Sequence, residues 1–293
     1  MIFGRTGQVG RELARAHWTV GCMPLLLGRP ECDLADAVAV RRAILREQPE
    51  IVINAAAYTA VDRAESEPEI AAKVNRDAPA AMAKACEETG AALIHLSTDY
   101  VFDGSKRGAY VEDDPIAPLS VYGRTKAEGE AEVGRAARRH VILRTSWVFA
   151  SHGGNFVRTM LRLADERPEL RIVCDQRGAP TAARDIASAI VSIVASVGEG
   201  GKSWGIFHFT SAEPATWHDF ARAIFEGAGR QTKLVPVSTA EYKTAAQRPL
   251  NSVLDCGRIA LDYGIRQPCW RRALADVLAE LQETASIPGI ASA

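Results

Sequence analysis

Gly4-Arg5-Thr6-Gly7-Gln8-Val9-Gly10 follows the apolar start Met1-Ile2-Phe3 and opens an amphipathic stretch through Leu13 and Ala16. A G-x-x-G-x-x-G run between a strand and a helix predicts a tight βα turn. Glycine permits positive φ and close backbone approach, and the free N–H groups of a helix N-terminus suit a pyrophosphate. Only three residues precede the loop, fewer than the usual strand of about 5–6. The first strand is therefore either stunted or begins upstream of Met1.

Outward from this turn, apolar runs of strand length alternate with longer helical patterns, as βαβ units of a parallel sheet require. Met23 to Leu27, Ile51 to Ile53, Ala92 to Leu96, Val141 to Leu143 and Ile206 to Phe209 read as strands. Asp36 to Glu47, Ile70 to Gly90, Val121 to Arg138 and Arg184 to Val197 read as helices. After Trp147 the chain passes through Gly-, Pro- and polar-rich loops, returns to helix-strand form over 184–210, and then mixes the helices Trp217 to Gly227 and Trp270 to Thr284 with short strands such as Leu234 to Val237. The expected fold is α/β, a Rossmann-type doubly wound parallel sheet over 1–149 and 181–211. A smaller, interleaved C-terminal substrate-binding α/β part is expected over 150–180 and 212–293. Ser286 to Ala293 reads as a frayed tail.

The 293 residues are 47% hydrophobic and 24% charged, ordinary globular material. The 35 basic and 36 acidic side chains leave a net charge of −1, so no basic field for nucleic acid or an anionic membrane is expected. No apolar run approaches the roughly 18 residues of a membrane span, and the N-terminus lacks a signal-peptide pattern; the expected location is the cytoplasm. The six cysteines show no C-x-x-C spacing and the six histidines no H-E-x-x-H, so no metal site is expected. His95, inside an apolar run, reads as a packed strand residue.

Tyr122 and Lys126 lie four residues apart in Tyr-Gly-Arg-Thr-Lys, which a helix places side by side. An ammonium beside a phenol favours the phenolate and lowers its pKa, giving a tyrosine that donates a proton and loses it cheaply. The hydroxyl of Thr98, in Ser97-Thr98-Asp99, can hydrogen-bond the same substrate oxygen from another element. This is equipment for reducing a carbonyl. The second strand ends Leu27-Gly28-Arg29; an Arg there accommodates a 2′-phosphate, so NADPH is the expected cofactor, with NADH also usable.

These stretches, with Asn54-Ala-Ala-Ala-Tyr-Thr-Ala-Val-Asp62, Ser97-Thr-Asp-Tyr-Val-Phe-Asp-Gly104, Arg144-Thr-Ser-Trp147 and Arg248-Pro-Leu-Asn251, resemble the dTDP-4-dehydrorhamnose reductase family of the extended short-chain dehydrogenase/reductases along nearly the whole chain. The resemblance implies reduction of a dTDP-linked 4-keto-6-deoxy sugar at C4. Tyr122 would be the proton donor, Lys126 its tuning and ribose-binding partner, and Thr98 the stabiliser of the alkoxide. It implies cofactor contacts at Gly4, Gly7, Gln8 and Val9, at Asp33 and Leu34, and at Ala56, Ala57, Tyr58 and Thr59. Substrate contacts are implied at Thr98, Asp99 and Trp147. Some relatives pair through acidic residues and Mg2+, and Glu12 matches one such position; a monomer and a homodimer both stay open. Arg248 is a candidate for the substrate pyrophosphate or for a structural ion pair. Two other readings stay open as well: a reductase of another nucleotide-linked 4-keto-6-deoxy sugar, and a non-catalytic dinucleotide-binding regulatory subunit.

Overall fold

The alternating pattern folds into one parallel sheet with helices on both faces and a second α/β part beside it. The computed structural model describes residues 1–201 and 203–286; the tail read from the sequence lies, from residue 287 on, outside the described residues. Strands β1 (Ile2–Phe3), β2 (Leu26–Leu27), β3 (Ile51–Asn54), β4 (Ala92–Thr98) and β5 (His140–Thr145) enter the sheet in turn. Four short strands follow: β6 (Val148–Phe149), β7 (Glu169–Val173), β8 (Arg177–Gly178) and β9 (Thr181–Ala182). Then β10 (Gly205–His208) returns to the sheet, and β11 (Ala215–Thr216) and β12 (Lys233–Val237) lie beyond it. The sheet order is β10-β5-β4-β3-β1-β2, with every neighbouring pair parallel. Because the chain lays β2 on one side of β1 and β3 on the other, the winding reverses between β1 and β3. Open α/β sheets bind ligands outside the carboxyl ends of the strands at such a reversal.

Helices α1 (Gln8–Arg15), α2 (Ala37–Glu47), α3 (Val61–Ala64), α4 (Pro68–Ala72), α5 (Ala78–Thr89) and α6 (Val121–Ala136) connect the first five strands. They are followed by α7 (Phe156–Glu166), α8 (Ala183–Gly198), α9 (Trp217–Gly227), α10 (Gly257–Tyr263) and α11 (Trp270–Ser286). One sheet face buries Ile2, Ile94, Leu143 and Phe207 against Leu13 of α1 and Ile186, Ile190 and Ile193 of α8. The other buries Phe3, Val52, Leu93 and Ile142 against Ile44 of α2, Met82 of α5 and Val133 of α6. A separate core joins Phe149, Val157, Met160, Phe220 and Trp270, with β12 paired to β7. Ile259 of α10 packs into the first of these cores, although its position in the sequence groups it with the C-terminal part.

Two expected elements come out differently. The strand read from Met23 is only Leu26–Leu27, because β1 offers just Ile2 and Phe3 as partners, and Met23 is 93% exposed. The helix read over Ile70 to Gly90 is interrupted by a π-helical turn at Lys73–Asp77. There the buried Asn75 side chain leaves the helix to clamp Tyr58, accepting from its N–H at 2.8 Å and donating to its carbonyl at 3.1 Å. Helix α6 starts as its sequence requires: Ser120 Oγ accepts the Gly123 N–H at 3.1 Å. Its glycines let it lie against neighbouring backbone, since a Cβ on Gly123 would sit 2.2 Å from the Tyr100 carbonyl oxygen.

Candidate active site

The carboxyl ends of β1, β3, β4 and β5 open onto a cavity of about 600 Å³. Its floor is the glycine loop. Gly4 has φ +100°, and a Cβ on Gly10 would lie 1.9 Å from the Gly4 carbonyl oxygen, so only glycine lets α1 start so close to β1. Gly7 caps α1 with no side-chain bond and no acidic residue stands in the first turn, which leaves an electropositive end facing the cavity. Gly4, Gly7, Gln8 and Val9 all line it. The Gln8 side chain also crosses to the second part of the chain, accepting from Asn155 Nδ2 at 3.0 Å.

Beyond β2, Arg29, Asp33 and Leu34 line the same cavity. Arg5 is engaged by Glu31 at 2.9 Å, and Glu31 also accepts the Gly28 N–H at 2.8 Å. Arg29 has no ion pair among the described residues. Past β3, Ala56, Ala57 and Thr59 line the cavity as well. Tyr58 is not among the lining residues: its backbone is held by Asn75 and its hydroxyl donates to Glu67 at 2.6 Å.

Thr98 ends β4. Its hydroxyl accepts the Tyr100 N–H at 3.1 Å and donates to Asp99 Oδ1 at 3.0 Å. Asp99 is 2% exposed, and burial pushes its carboxyl up to about 7 against the opposing hydrogen bonds from Ser252 and Thr98. Thr98, Asp99, Tyr122, Lys126 and Trp147 share the cavity wall. The expected effect of the lysine on the tyrosine is not what the structure contains. Burial pushes Tyr122 up to about 12, with a hydrogen bond to Thr98 opposing it, and burial brings Lys126 down to about 8. The lysine head is turned to β4, donating to the Leu96 carbonyl at 2.6 Å and lying 3.3 Å from His95 Nε2. Withdrawal from water, which favours each neutral form, is the main cause of both shifts, and the lysine is not among the groups that move the tyrosine.

Trp147 carries φ +47°, a backbone conformation that a bulky residue adopts only under constraint, and its ring stacks on Trp217 at 3.6 Å between centroids and 7° between planes. Trp217, together with Ser146, Gly153 and Gly154, lines the cavity without having been singled out in the sequence. Trp217 lies 70 positions from its partner; the pairing of β8 with β11 and the packing of α9 in the core around Phe220 and Trp270 bring it there. Arg248 does not line the cavity; its guanidinium grips Asp62 at 3.0 and 2.6 Å. Glu12 meets His152 and lies 3.8 Å from Arg15, and no cluster of three metal-ligating side chains occurs among the described residues.

A dinucleotide cradle at the reversal of a Rossmann sheet, with a threonine and a Tyr-x-x-x-Lys pair on the opposite wall, defines a reductase of the extended short-chain dehydrogenase/reductase class. The chain belongs to the family of dTDP-4-dehydrorhamnose reductases. Residues 1–283 match the family model described as the RmlD substrate binding domain. A Sinorhizobium fredii protein named dTDP-4-dehydrorhamnose reductase is 46% identical over 93% of this chain and 94% of its own. The crystal structure of a Clostridium acetobutylicum dTDP-4-dehydrorhamnose reductase superposes with a TM-score of 0.90 at 35% identity, covering 96% of this chain and 98% of that one. A Bacillus anthracis enzyme of the same name, solved in complex with NADP, gives 0.89 at 33% identity, covering 95% and 98%.

Proposed function

We propose that the protein reduces the C4 keto group of dTDP-4-dehydro-L-rhamnose to dTDP-L-rhamnose with NADPH. The observation that carries this reading is the convergence of Thr98, Tyr122 and Lys126 on the cavity that the glycine loop floors. The residues present fit the cofactor. Without a Cβ, Gly10 lets α1 start against the Gly4 backbone, so the uncapped helix N-terminus meets the cavity where a pyrophosphate would bind, and Arg29 offers a guanidinium with no other ion pair among the described residues for a 2′-phosphate. When bound, the reduced nicotinamide supplies a hydride to the carbonyl carbon.

The chain's own groups handle the oxygen. Tyr122, kept fully protonated by burial, gives its phenolic proton to the developing alkoxide, and the Thr98 hydroxyl turns from Asp99 to hydrogen-bond the same atom. Lys126 as an ammonium supports the phenolate left behind. Residues 150–180 and 212–293 hold the nucleotide sugar, with the Trp147–Trp217 stack as a rigid wall beside it. The sheet with its helices, 1–149 and 181–211, holds the cofactor. No helix among the described residues is long and apolar enough to cross a membrane.

The reading is tested by following NADPH oxidation with dTDP-4-dehydro-L-rhamnose. Replacing Arg29 by Ala raises KM for NADPH by about tenfold or more, the worth of a charge-assisted hydrogen bond, and leaves KM for NADH unchanged. An equal change for both cofactors removes Arg29 from the 2′-phosphate site. Trp217→Ala strips one face of Trp147 and raises KM for the sugar nucleotide by about 3- to 10-fold with little change in kcat. A wild-type KM removes the stack from substrate binding.

A further inference from the structure

Asn54 and His95 are fully buried polar side chains that the reduction, as derived above, does not use. They face each other because β3 and β4 are in register there, with Asn54 opposite His95. Their hydrogen bonds form a chain that ends on Lys126. The Ala56 backbone N–H, which can only donate, lies 3.2 Å from Asn54 Oδ1. That fixes the amide, so Asn54 Nδ2 is the atom that donates to His95 Nδ1 at 3.0 Å. A neutral imidazole accepting at Nδ1 must carry its hydrogen on Nε2, and Nε2 is the atom 3.3 Å from Lys126 Nζ.

We propose that Asn54 and His95 are positioning residues that set the charge of Lys126: the fixed Ala56 donor orients Asn54, Asn54 selects the Nε2–H tautomer of His95, and that N–H faces the lysine nitrogen. An ammonium has three donors and no acceptor, so it meets the His95 N–H donor to donor. An amine donates one N–H to the Leu96 carbonyl and accepts the His95 N–H on its lone pair, so the donor-to-donor contact disappears. The tautomer lock and the burial of Lys126 therefore act in the same direction, toward the neutral amine. Imidazolium is not an alternative, since burial, with Lys126 adding to it, holds His95 well below the ordinary histidine range.

The other charged or titratable groups around Lys126 are accounted for. Glu130, one turn along α6, opposes the shift, but its carboxylate is taken up by Arg144 of β5 at 2.7 Å. Tyr122, one turn earlier, stays protonated; Asp99 acts on Tyr122 rather than on the lysine; and His140, at the start of β5, reaches Lys126 only through its effect on His95. The consequence is a lysine whose charge changes near neutral pH. In the reductase reading, on which this consequence rests, the ammonium is the working form, and rising pH removes activity as Lys126 loses its proton.

The tautomer is read directly in the full-length free protein from long-range 1H–15N spectra of labelled histidine, with His95 assigned by its loss in His95→Gln. The expected result is hydrogen on Nε2 and none on Nδ1; hydrogen on Nδ1 overturns the proposal. Asn54→Asp replaces the amide donor by a carboxylate acceptor. His95 should then carry its hydrogen on Nδ1, and the 13Cε signal of Lys126 should titrate about one pH unit or more above the midpoint found for the wild-type protein. An unchanged tautomer in Asn54→Asp overturns the role of Asn54, and an unchanged midpoint overturns the coupling to Lys126. Gln at 95 can still present an N–H, so His95→Gln should keep the wild-type midpoint; a side chain that merely packs predicts no such difference between the variants. Should Asn54→Asp not fold, the wild-type tautomer decides alone. These spectra need no substrate, so they stand if the protein proves to reduce no keto sugar. If it does, the alkaline limb of kcat/KM should move upward with the lysine midpoint.

Discussion

Tyr122→Phe should lower turnover by about 10²- to 10⁴-fold while NADPH binding stays close to wild type. The substitution removes one oxygen from a ring whose position is set by other contacts. Tyr100 meets the ring edge-on at 5.9 Å, and α6 is held by the Ser120 cap and by Glu65, which accepts the Val121 N–H at 2.8 Å. The loss is therefore chemical rather than structural. The measurement is single-turnover hydride transfer beside fluorescence titration of NADPH. Near-normal turnover removes Tyr122 as the acid, and a parallel loss of NADPH affinity makes it a binding residue instead.

The second large effect concerns stability. Glu130→Ala should cost about 3–5 kcal/mol, because it leaves a buried guanidinium without its counter-charge. Arg144 and Glu130 are only 2% and 4% exposed, and the pairing is bidentate, with Arg144 Nε at 3.0 Å and Nη2 at 2.7 Å from the carboxylate oxygens. Arg144 also donates to the Glu112 carbonyl at 3.3 Å and lies over the Phe102 ring at 5.1 Å. It thus ties α6, which carries Tyr122 and Lys126, to β5 and to the loop before that helix. Against a typical total of about 5–15 kcal/mol, this is a large fraction. Urea unfolding measures it. The double variant Glu130→Leu with Arg144→Met should be less destabilised than Glu130→Ala, since no lone charge remains buried; a cost below about 1 kcal/mol for the single variant contradicts the account.

Much of this arrangement can be read from local sequence because it depends on local rules. The approach of Gly10 to Gly4 needs only backbone sterics within residues 4–10, and helix starts such as Val121 and Trp217 follow from the caps Ser120 and Thr216. The sheet follows from runs that are apolar throughout, such as Val141–Leu143 in β5. What local sequence does not contain is register and reach. That His95 faces Asn54 depends on how β3 and β4 align over 41 positions, and that Lys126 turns to Leu96 rather than to Tyr122 depends on burial. The direction of Tyr58 depends on the π-helical turn that frees Asn75. Trp217 reaches Trp147 through the packing of α9 in the second core and through pairing of two-residue strands too short to leave a pattern.

The most direct test of the reductase reading is an assay of NADPH oxidation with dTDP-4-dehydro-L-rhamnose beside GDP- and UDP-linked 4-keto sugars, with NMR of each product. The expected result is stoichiometric NADPH consumption with the dTDP sugar and a product whose C4 configuration is that of dTDP-L-rhamnose. Reduction of only another sugar nucleotide, the opposite C4 configuration, or no NADPH oxidation with any of them contradicts it.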